Sequence, residues 1–259
     1  GLLDITIVRH FLRWQRTYEP ITDQWIGASS VFDALVSMAT FRLNEDKAEE
    51  ATVVGDNEVS YKARSIYHPF LGEKAVRNNF DIQNHEYYII TGANMAGKST
   101  FLRTLGVNYI LAMNGLPVFA EEMHVSVFRL FTNMRTTDDL THGISYFNAE
   151  LLRLKQLIAS LDPNVPSLII LDEILKGTNS LDKLNGSRLF LEYISERNVT
   201  GVIATHDLEL SKLEDENPQR FHNYSFEIEL GTDVTYTYKI GRGVARNQNA
   251  TFLLKQILI

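Results

Sequence analysis

The sequence contains no cysteine, so it can form neither a disulfide nor a thiolate metal site. It also has no run of 18 or more apolar residues, which predicts that no segment of this piece spans a membrane. Positive charge is in deficit, because 25 Lys and Arg stand against 32 Asp and Glu and give a net charge of −7. Bulk charge therefore does not favour nucleic-acid binding, which would need a local basic patch or a partner. Together these absences fit a reducing cytoplasm, the location that we expect.

The composition is typical of a globular protein with one large domain, or one domain plus an appendage, since 44% of the 259 residues are hydrophobic and 22% are charged. The start has no secretory signal pattern, and its first residue is Gly1 rather than Met, so we expect a piece of a longer protein. An acidic stretch at residues 44–50 marks a predicted boundary. It separates a helical connector, residues 1–47, from a second domain, residues 48–259.

Apolar residues in the connector recur at helical spacing. They predict one helix over residues 1–19, which Pro20 ends, and a second helix over residues 23–43. Trp14 and Trp25 are large apolar side chains within these helices, and we predict that they anchor a core.

The second domain contains short apolar runs that predict strands and longer amphipathic runs that predict helices. The predicted strands lie at residues 51–54, 59–63, 79–82, 87–90, 118–120, 125–131, 167–172, 200–205, 226–230 and 234–238. The predicted helices lie at residues 101–114, 181–197 and 250–258, and a further helix begins after Ser145. This further helix has Phe147, Leu151, Leu154 and Ile158 on one face. Several strands are apolar throughout, which indicates an α/β fold whose parallel sheet is covered on both faces.

Residues 92–99 match the Walker A or P-loop pattern G-x-x-x-x-G-K-[ST], and they lie between a predicted strand and a predicted helix. Two glycines, Gly92 and Gly97, let the backbone turn tightly, so that consecutive N–H groups at a helix N-terminus face an anion. Lys98 would reach the β- and γ-phosphates of a nucleotide, and Ser99 would hold Mg²⁺. The predicted nucleotide-binding residues are Gly92, Ala93, Asn94, Met95, Ala96, Gly97, Lys98, Ser99 and Thr100.

Further polar groups stand at the ends of predicted elements. One apolar strand ends at Asp172 and Glu173, a Walker B pattern in which Asp172 would hold Mg²⁺ and Glu173 would orient the attacking water. Helix-capping acids are the structural alternative. The next buried strand ends at His206, which could sense a γ-phosphate or be an ordinary loop histidine. Ser145 at a helix N-terminus offers a second anion site as well as a cap. The predicted catalytic residues of this Mg²⁺-dependent ATPase are Glu173, Lys98, His206 and Ser145.

In their order these motifs resemble the ATPase domain of the MutS family of DNA mismatch-repair proteins, over residues 65–259. The segments that carry the resemblance are Tyr67-His68-Pro69, Asn94-Met95 within the P-loop, Asp138-Asp139-Leu140, Gly143-Ile144-Ser145-Tyr146-Phe147 with Glu150, Asp172-Glu173-Ile174 with Gly177-Thr178, and Ala204-Thr205-His206.

The resemblance implies a P-loop ATPase of the ABC type, with a mixed or parallel sheet flanked by helices, which uses ATP and Mg²⁺. It implies a homodimer with composite ATP sites, in which Ser145 contacts the γ-phosphate held by the second copy and Asn179 and Ser180 lie at the interface. It also implies that an aromatic or His side chain stacks on the adenine, here Tyr238 or the loop of His68. Nucleotide state would be coupled to dimerisation and to DNA binding by the full-length parent through its helical regions.

The chain departs from the family pattern without losing a catalytic group, which indicates a divergent branch. Leu175-Lys176-Gly177-Thr178-Asn179 stands where Gly-Arg-Gly-Thr-Ser is usual, Ala93 and Ala96 replace Pro and Gly, and Tyr146 replaces Thr. Phe190-Leu191-Glu192 matches the family's Phe-x-Glu mismatch reader, but it lies on a predicted helix after Walker B, and we interpret this match as coincidence.

Two other classes of protein compete with this interpretation. The nucleotide-binding subunit of an ABC transporter would share the P-loop and the histidine, but it needs a Leu-Ser-Gly-Gly-Gln signature, which the sequence lacks. A non-catalytic, ATP-dependent interaction module is disfavoured by the intact set of Lys98, Ser99, Asp172 and Glu173.

Overall fold

The computed structural model describes residues 1–45, 48–134, 146–175, 179–230 and 234–246. The chain divides into two compact units, residues 1–47 and residues 48–259. The predicted helix at residues 250–258 lies outside the described residues.

The described part of the first unit is one helix, α1 (Leu2–Asn44), of 43 residues. The prediction of two helices separated at Pro20 is wrong, because Pro20 lies inside α1. An internal proline removes one backbone hydrogen bond and costs about 3 kcal/mol. The remaining bonds of a helix this long continue on both sides of it, and the Thr22 hydroxyl adds a bond of 2.9 Å to the carbonyl oxygen of Tyr18.

The tryptophans of α1 do not anchor a core. Trp14 and Trp25 are each 50% exposed, and no residue of this described helix is buried. The prediction is wrong because the described residues of this unit contain no second element against which a core could form. The two rings instead flank Tyr18, with ring centroids 6.5 Å and 5.7 Å away.

α1 also meets a criterion of length and composition for crossing a membrane, and it is the one helix among the described residues that does. The core helices of globular proteins and signal sequences meet the same criterion. The expected absence of a membrane-spanning segment therefore stays a prediction.

The second unit is built on a six-stranded sheet in the order β10-β9-β4-β8-β7-β6. Its strands are β4 (Tyr87–Gly92), β6 (Arg129–Asn133), β7 (Ser167–Asp172), β8 (Val199–Ala204), β9 (Phe221–Leu230) and β10 (Val234–Arg242). All neighbours pair in parallel except β10, which pairs antiparallel with β9. Every residue of β4, β7 and β8 is buried, as their continuous apolar runs predict.

A second sheet has four strands in the order β1-β5-β2-β3. They are β1 (Thr52–Val54), β2 (Tyr61–Ile66), β3 (Asn78–Ile82) and β5 (Glu122–Ser126). The single strand predicted at residues 125–131 is wrong, because β5 ends at Ser126 and β6 begins in the other sheet at Arg129. The turn between them is held by Phe128, whose N–H donates to the Tyr109 hydroxyl at 2.8 Å. The strand predicted at residues 118–120 is only a single bridge from Val118 to Glu49.

Helices cover both faces of the large sheet. They are α2 (Lys98–Met113), α3 (Tyr146–Ser160), α4 (Ser180–Ser195) and the short α5 (Leu213–Glu216), with 3₁₀ turns at Pro69–Lys74 and Leu208–Lys212. Ile90 packs in one hydrophobic cluster with Phe101 of α2, whereas its neighbour Ile89 packs in a second cluster with Leu191 of α4. Neighbouring strand residues point to opposite faces, so α2 and α4 lie on opposite sides of the sheet. The predicted mixed α/β fold is confirmed.

The residues predicted to share one face of α3 differ in burial. Leu151 is 41% exposed, whereas Leu154 and Leu157 are buried. The buried face therefore runs through Glu150, Leu154 and Leu157 at helical spacing rather than through Leu151.

Asn108 connects α2 to the segment that precedes the P-loop strand. Its buried side-chain amide donates to the carbonyl oxygens of Tyr67 at 3.2 Å and Thr104 at 2.9 Å, and its Oδ1 accepts from the N–H of Phe119 at 2.7 Å. The bond to Tyr67 holds the residue next to His68 against the helix that follows the P-loop.

We predict that Asn108→Ala lowers the free energy of unfolding by roughly 2–4 kcal/mol, because a buried N–H and a buried carbonyl each lose a partner. Denaturant unfolding followed by circular dichroism measures the change. Asn114→Ala is the matched control, since Asn114 also donates to the carbonyl four residues earlier, at 2.8 Å, but is exposed. Equal losses in the two variants would contradict the assignment of Asn108 as a buried tether.

Candidate functional site

The Gly-rich loop joins the end of β4 to the start of α2 at Lys98, as the sequence predicts. Gly92 and Gly97 have φ of 153° and 109°, in the range that favours glycine. A Cβ on Gly92 would lie 2.8 Å from the carbonyl oxygen of Phe226, and one on Gly97 would lie 3.1 Å from the Tyr238 ring. Both positions therefore require glycine, since β9 and β10 approach the loop so closely.

Lys98 is buried at the base of this loop, with 5% of the residue exposed. Its ammonium donates to the carbonyl oxygens of Gly92 at 2.7 Å and Ala93 at 2.9 Å. These bonds compensate for the loss of water around the charge. The same Nζ lies 3.4 Å from each ring nitrogen of His206. A cation at a helix N-terminus produces a positive potential that suits an anion.

Glu173 follows the end of β7 and faces the same place. Its N–H donates to the carbonyl oxygen of Ala204 at 2.9 Å, which continues the ladder between β7 and β8. Its backbone is left-handed, with φ of 61°. The carboxylate is largely buried, and its Oε1 lies 2.9 Å from Nε2 of His206. The structure thus brings Lys98, His206 and Glu173 into one cluster, and the sequence predicts all three as site residues.

Sequence reasoning missed a fourth member of this cluster, Lys183 of α4. Its Nζ lies 3.7 Å from Oε2 of Glu173, and its side chain is 19% exposed. A lone lysine on an amphipathic helix resembles any solvent-facing lysine, so the sequence carries no signal for this contact. Its position is set by the cap of α4, where the Asn179 side chain accepts from the N–H of Asp182 at 3.0 Å.

Glu150 of α3 holds the segment that follows β7 through a buried hydrogen bond. The residue is 1% exposed, and its Oε1 accepts from the N–H of Leu175 at 2.7 Å. Leu175 has φ of 59°, a left-handed conformation that is costly for a branched side chain. In the sequence, Glu150 belongs to a motif that carries the family resemblance, but no role is predicted for it. The structure shows that Glu150 links α3 to the end of the Walker B segment.

A cavity of about 480 Å³ lies beside the P-loop. Lys98 and His206 line one part of it, and His68 and Tyr238 line it as well. Tyr238 stacks on Tyr236 with ring centroids 5.8 Å apart. Burial and the positive charge of Arg103 lower the pKa of His68, which favours the neutral imidazole at neutral pH. The two candidates for contact with an adenine thus border the same cavity as the phosphate loop.

The structure does not describe every predicted site residue. Ser145 and the segment 176–178 lie outside the described residues, so the second anion site stays a prediction. Asn179 and Ser180 cap and begin α4.

The residues predicted to hold Mg²⁺ are Ser99, in the first turn of α2, and Asp172, at the end of β7. Asp172 is buried and presents a carboxylate at the strand end that precedes Glu173. Among the described residues, no group of three or more His, Asp or Glu could hold a metal by itself. This sparse oxygen donor set fits Mg²⁺, which keeps several waters and is often bound by one or two protein oxygens and substrate phosphates.

Comparison with known proteins identifies relatives of this chain. Residues 88–252, more than half of the chain, match the family described as MutS domain V. A DNA mismatch repair protein MutS from Caldicellulosiruptor bescii is 32% identical over 82% of this chain and 25% of its own length. Proteins with the same description from Clostridium botulinum and Acetivibrio thermocellus are 31% and 32% identical, over 93% and 75% of this chain and 26% and 23% of their own lengths. The chain spans about a quarter of the length of these curated relatives.

We predict that Gly97→Ala lowers the free energy of unfolding by about 1–3 kcal/mol, because alanine is strained at φ of 109°. Thermal and denaturant unfolding of the variant measure this loss. Gly241→Ala is the control, since no described atom lies within 4 Å of the position that its Cβ would take. A Gly97→Ala protein as stable as this control would contradict the strained geometry of the loop.

Proposed function

This chain belongs to the MutS family, and on that premise we propose that its second unit binds and hydrolyses ATP as a P-loop ATPase of the ABC type. The observation that carries the proposal is the convergence of Lys98, His206 and Glu173 at the carboxyl end of the sheet, beside the Gly-rich loop. Ligands of open α/β sheets bind at this edge.

The cavity beside the loop is the binding site in this proposal. The phosphates lie against residues 92–100, where the N–H groups at the start of α2 and the Lys98 ammonium receive their negative charge. The base lies toward His68 and Tyr238, which offer a neutral imidazole and a phenol ring. The cavity volume of about 480 Å³ falls in the range of small-molecule sites.

Hydrolysis in this proposal relies on position and charge rather than on covalent chemistry. Glu173 accepts a hydrogen bond from the attacking water and orients it. Lys98 and His206 stabilise the negative charge on the transferred phosphoryl group. The contact of 2.9 Å between His206 and Glu173 supports a proposal in which the group that senses the phosphate acts beside the group that orients the water.

Ser99 and Asp172 are the residues that would hold Mg²⁺. The ion, when bound, neutralises charge on the phosphate oxygens. Beside such an ion, Lys98 would bind the phosphates and Glu173 would orient the water.

We extend the proposal to a full-length protein of the kind that the relatives represent, in which this chain would be one part. Its helical unit, residues 1–47, is a connector that couples nucleotide state to DNA binding by the full-length DNA-repair protein. Ser145 completes the site of a second copy, so that ATP favours a homodimer. A cytoplasmic location belongs to the same proposal.

Glu173→Gln tests the water-orienting role. We expect ATP binding to persist and Mg²⁺-dependent turnover to fall by about 100-fold or more, because the amide keeps the shape but is a poorer acceptor for the water. Calorimetric titration with ATP measures binding, and phosphate release measures turnover.

Glu192→Gln serves as the control for this substitution, since Glu192 is an exposed carboxylate on α4 that pairs with Arg188. It should retain normal turnover. Unchanged turnover in Glu173→Gln would remove Glu173 from the mechanism, and the absence of any ATP binding by the unmodified chain would overturn the proposed function.

ATP should promote dimerisation, because Ser145 is proposed to act on the nucleotide of the second copy. Sedimentation velocity of the Glu173→Gln protein, with and without Mg²⁺ and ATP, measures the fraction of dimer. Ser145→Ala should weaken the ATP-dependent dimer, while the control Ser160→Ala, at the end of α3, should not. A protein that stays monomeric at high concentration with ATP would contradict the composite site.

A further inference from the structure

We propose that Lys183 is a positioning residue for Glu173, and that its ammonium holds the carboxylate in the orientation that ATP hydrolysis requires. This inference rests on the proposed function and adds a residue to it. Lys183 acts through Glu173 and is not itself placed against the substrate.

The pair is largely shielded from water. The side chains of Lys183 and Glu173 are 19% and 16% exposed, with Nζ 3.7 Å from Oε2. The surface pair of Lys212 and Glu209 has side chains that are 59% and 56% exposed. Screening by water and salt reduces exposed pairs to little net effect, whereas a largely buried pair keeps more of its attraction.

Glu173 is held from two sides by different elements. Its Oε1 contacts His206 after β8, and its Oε2 contacts Lys183 of α4. A carboxylate engaged at both oxygens has its plane fixed, whereas one engaged only at Oε1 can rotate about its terminal bond. Removal of Lys183 therefore leaves the contact with His206 but takes the ammonium away from the second oxygen.

The location of Lys183 runs against the local preference of its helix. It lies four residues after the N-cap Asn179, and its N–H donates to the Asn179 carbonyl oxygen at 2.9 Å. A cation near a helix N-terminus is disfavoured by the helix dipole, by about 0.3–1 kcal/mol at exposed sites. Lys183 thus lies where its helix disfavours a cation and contacts a residue of the site, which indicates a functional role.

The other charged groups described near Glu173 have contacts of their own or carry a like charge. Lys98 lies against His206 and donates to two loop carbonyls, and Asp172 is a like charge at the preceding position. Glu150 accepts from the N–H of Leu175. In the described residues, Lys183 is the lysine that reaches Oε2.

The test compares Lys183→Met, Lys183→Arg and the control Lys212→Met in the 259-residue chain with Mg²⁺ and ATP. We expect Lys183→Met to lower kcat by about 10–100-fold, the scale of a small misplacement of a reacting group, with KM changed less than about twofold. Lys183→Arg should recover most of kcat, and Lys212→Met should leave both constants unchanged. If Lys183→Met does not fold, Lys183→Gln takes its place.

A second arm shows whether Lys183 acts through Glu173. In the Glu173→Gln background, Lys183→Met should lower the residual rate no further, measured over long single-turnover incubations. A further loss equal to that in the unmodified chain would overturn the inference, and so would normal kcat in Lys183→Met. A rise in KM with unchanged kcat would also overturn it, since that result indicates a contact with ATP itself.

These outcomes separate the two proposals. An unmodified chain without any turnover overturns the proposed function and this inference together. An active unmodified chain with normal kcat in Lys183→Met overturns the inference alone.

Discussion

The candidate site depends on the pairing of β8 between β4 and β7. Ile90, Ala204 and Asp172 are register partners across these three parallel strands. The ladder continues one step beyond them, where Thr205 donates to Ile90 and Glu173 donates to Ala204, each at 2.9 Å. β7 and β8 end at the level of Ile90, and β4 ends two residues later at Gly92, so the segments that follow these strands converge. The Gly-rich loop, the acidic pair and the histidine are those segments.

This register is enforced by burial on both faces of the sheet. A shift of one residue would turn every side chain of a strand to the opposite face. Ile89 and Ile90 pack into different clusters, one with α4 and the other with α2, and the two faces are filled by side chains of different shape. The packing of the helices thus fixes the position of the chemical groups at the strand ends. Two helices also carry members of the cluster themselves, Lys98 on α2 and Lys183 on α4.

The sequence predicted those parts of the site that depend on local pattern. Strands buried on both faces are apolar throughout, so β7 and β8 were predicted close to their observed bounds, and the glycines of the P-loop marked its turn. The contacts of Lys183 and Glu150 were not predictable, because each joins residues of different elements and neither leaves a local signal. The boundary between β5 and β6 was missed because both flanking segments are apolar and only a tertiary bond, from Phe128 to Tyr109, separates them. The helix end predicted at Pro20 is wrong for the opposite reason, since a local signal is outweighed by the length of α1.

In the proposed function, the contacts of Lys98 make nucleotide binding an exchange rather than a simple addition. The ammonium has three N–H donors and already has carbonyl partners at 2.7 Å and 2.9 Å, with His206 at 3.4 Å, so a phosphate would compete with these groups. The net gain would be the difference between a charged and a neutral acceptor, which is smaller than the full strength of either bond. The same carbonyls keep the lysine side chain ordered before a ligand arrives, so little conformational entropy would be lost on binding. Such a site would give up some affinity and gain a fixed geometry, which suits the proposed cycle of nucleotide binding and release.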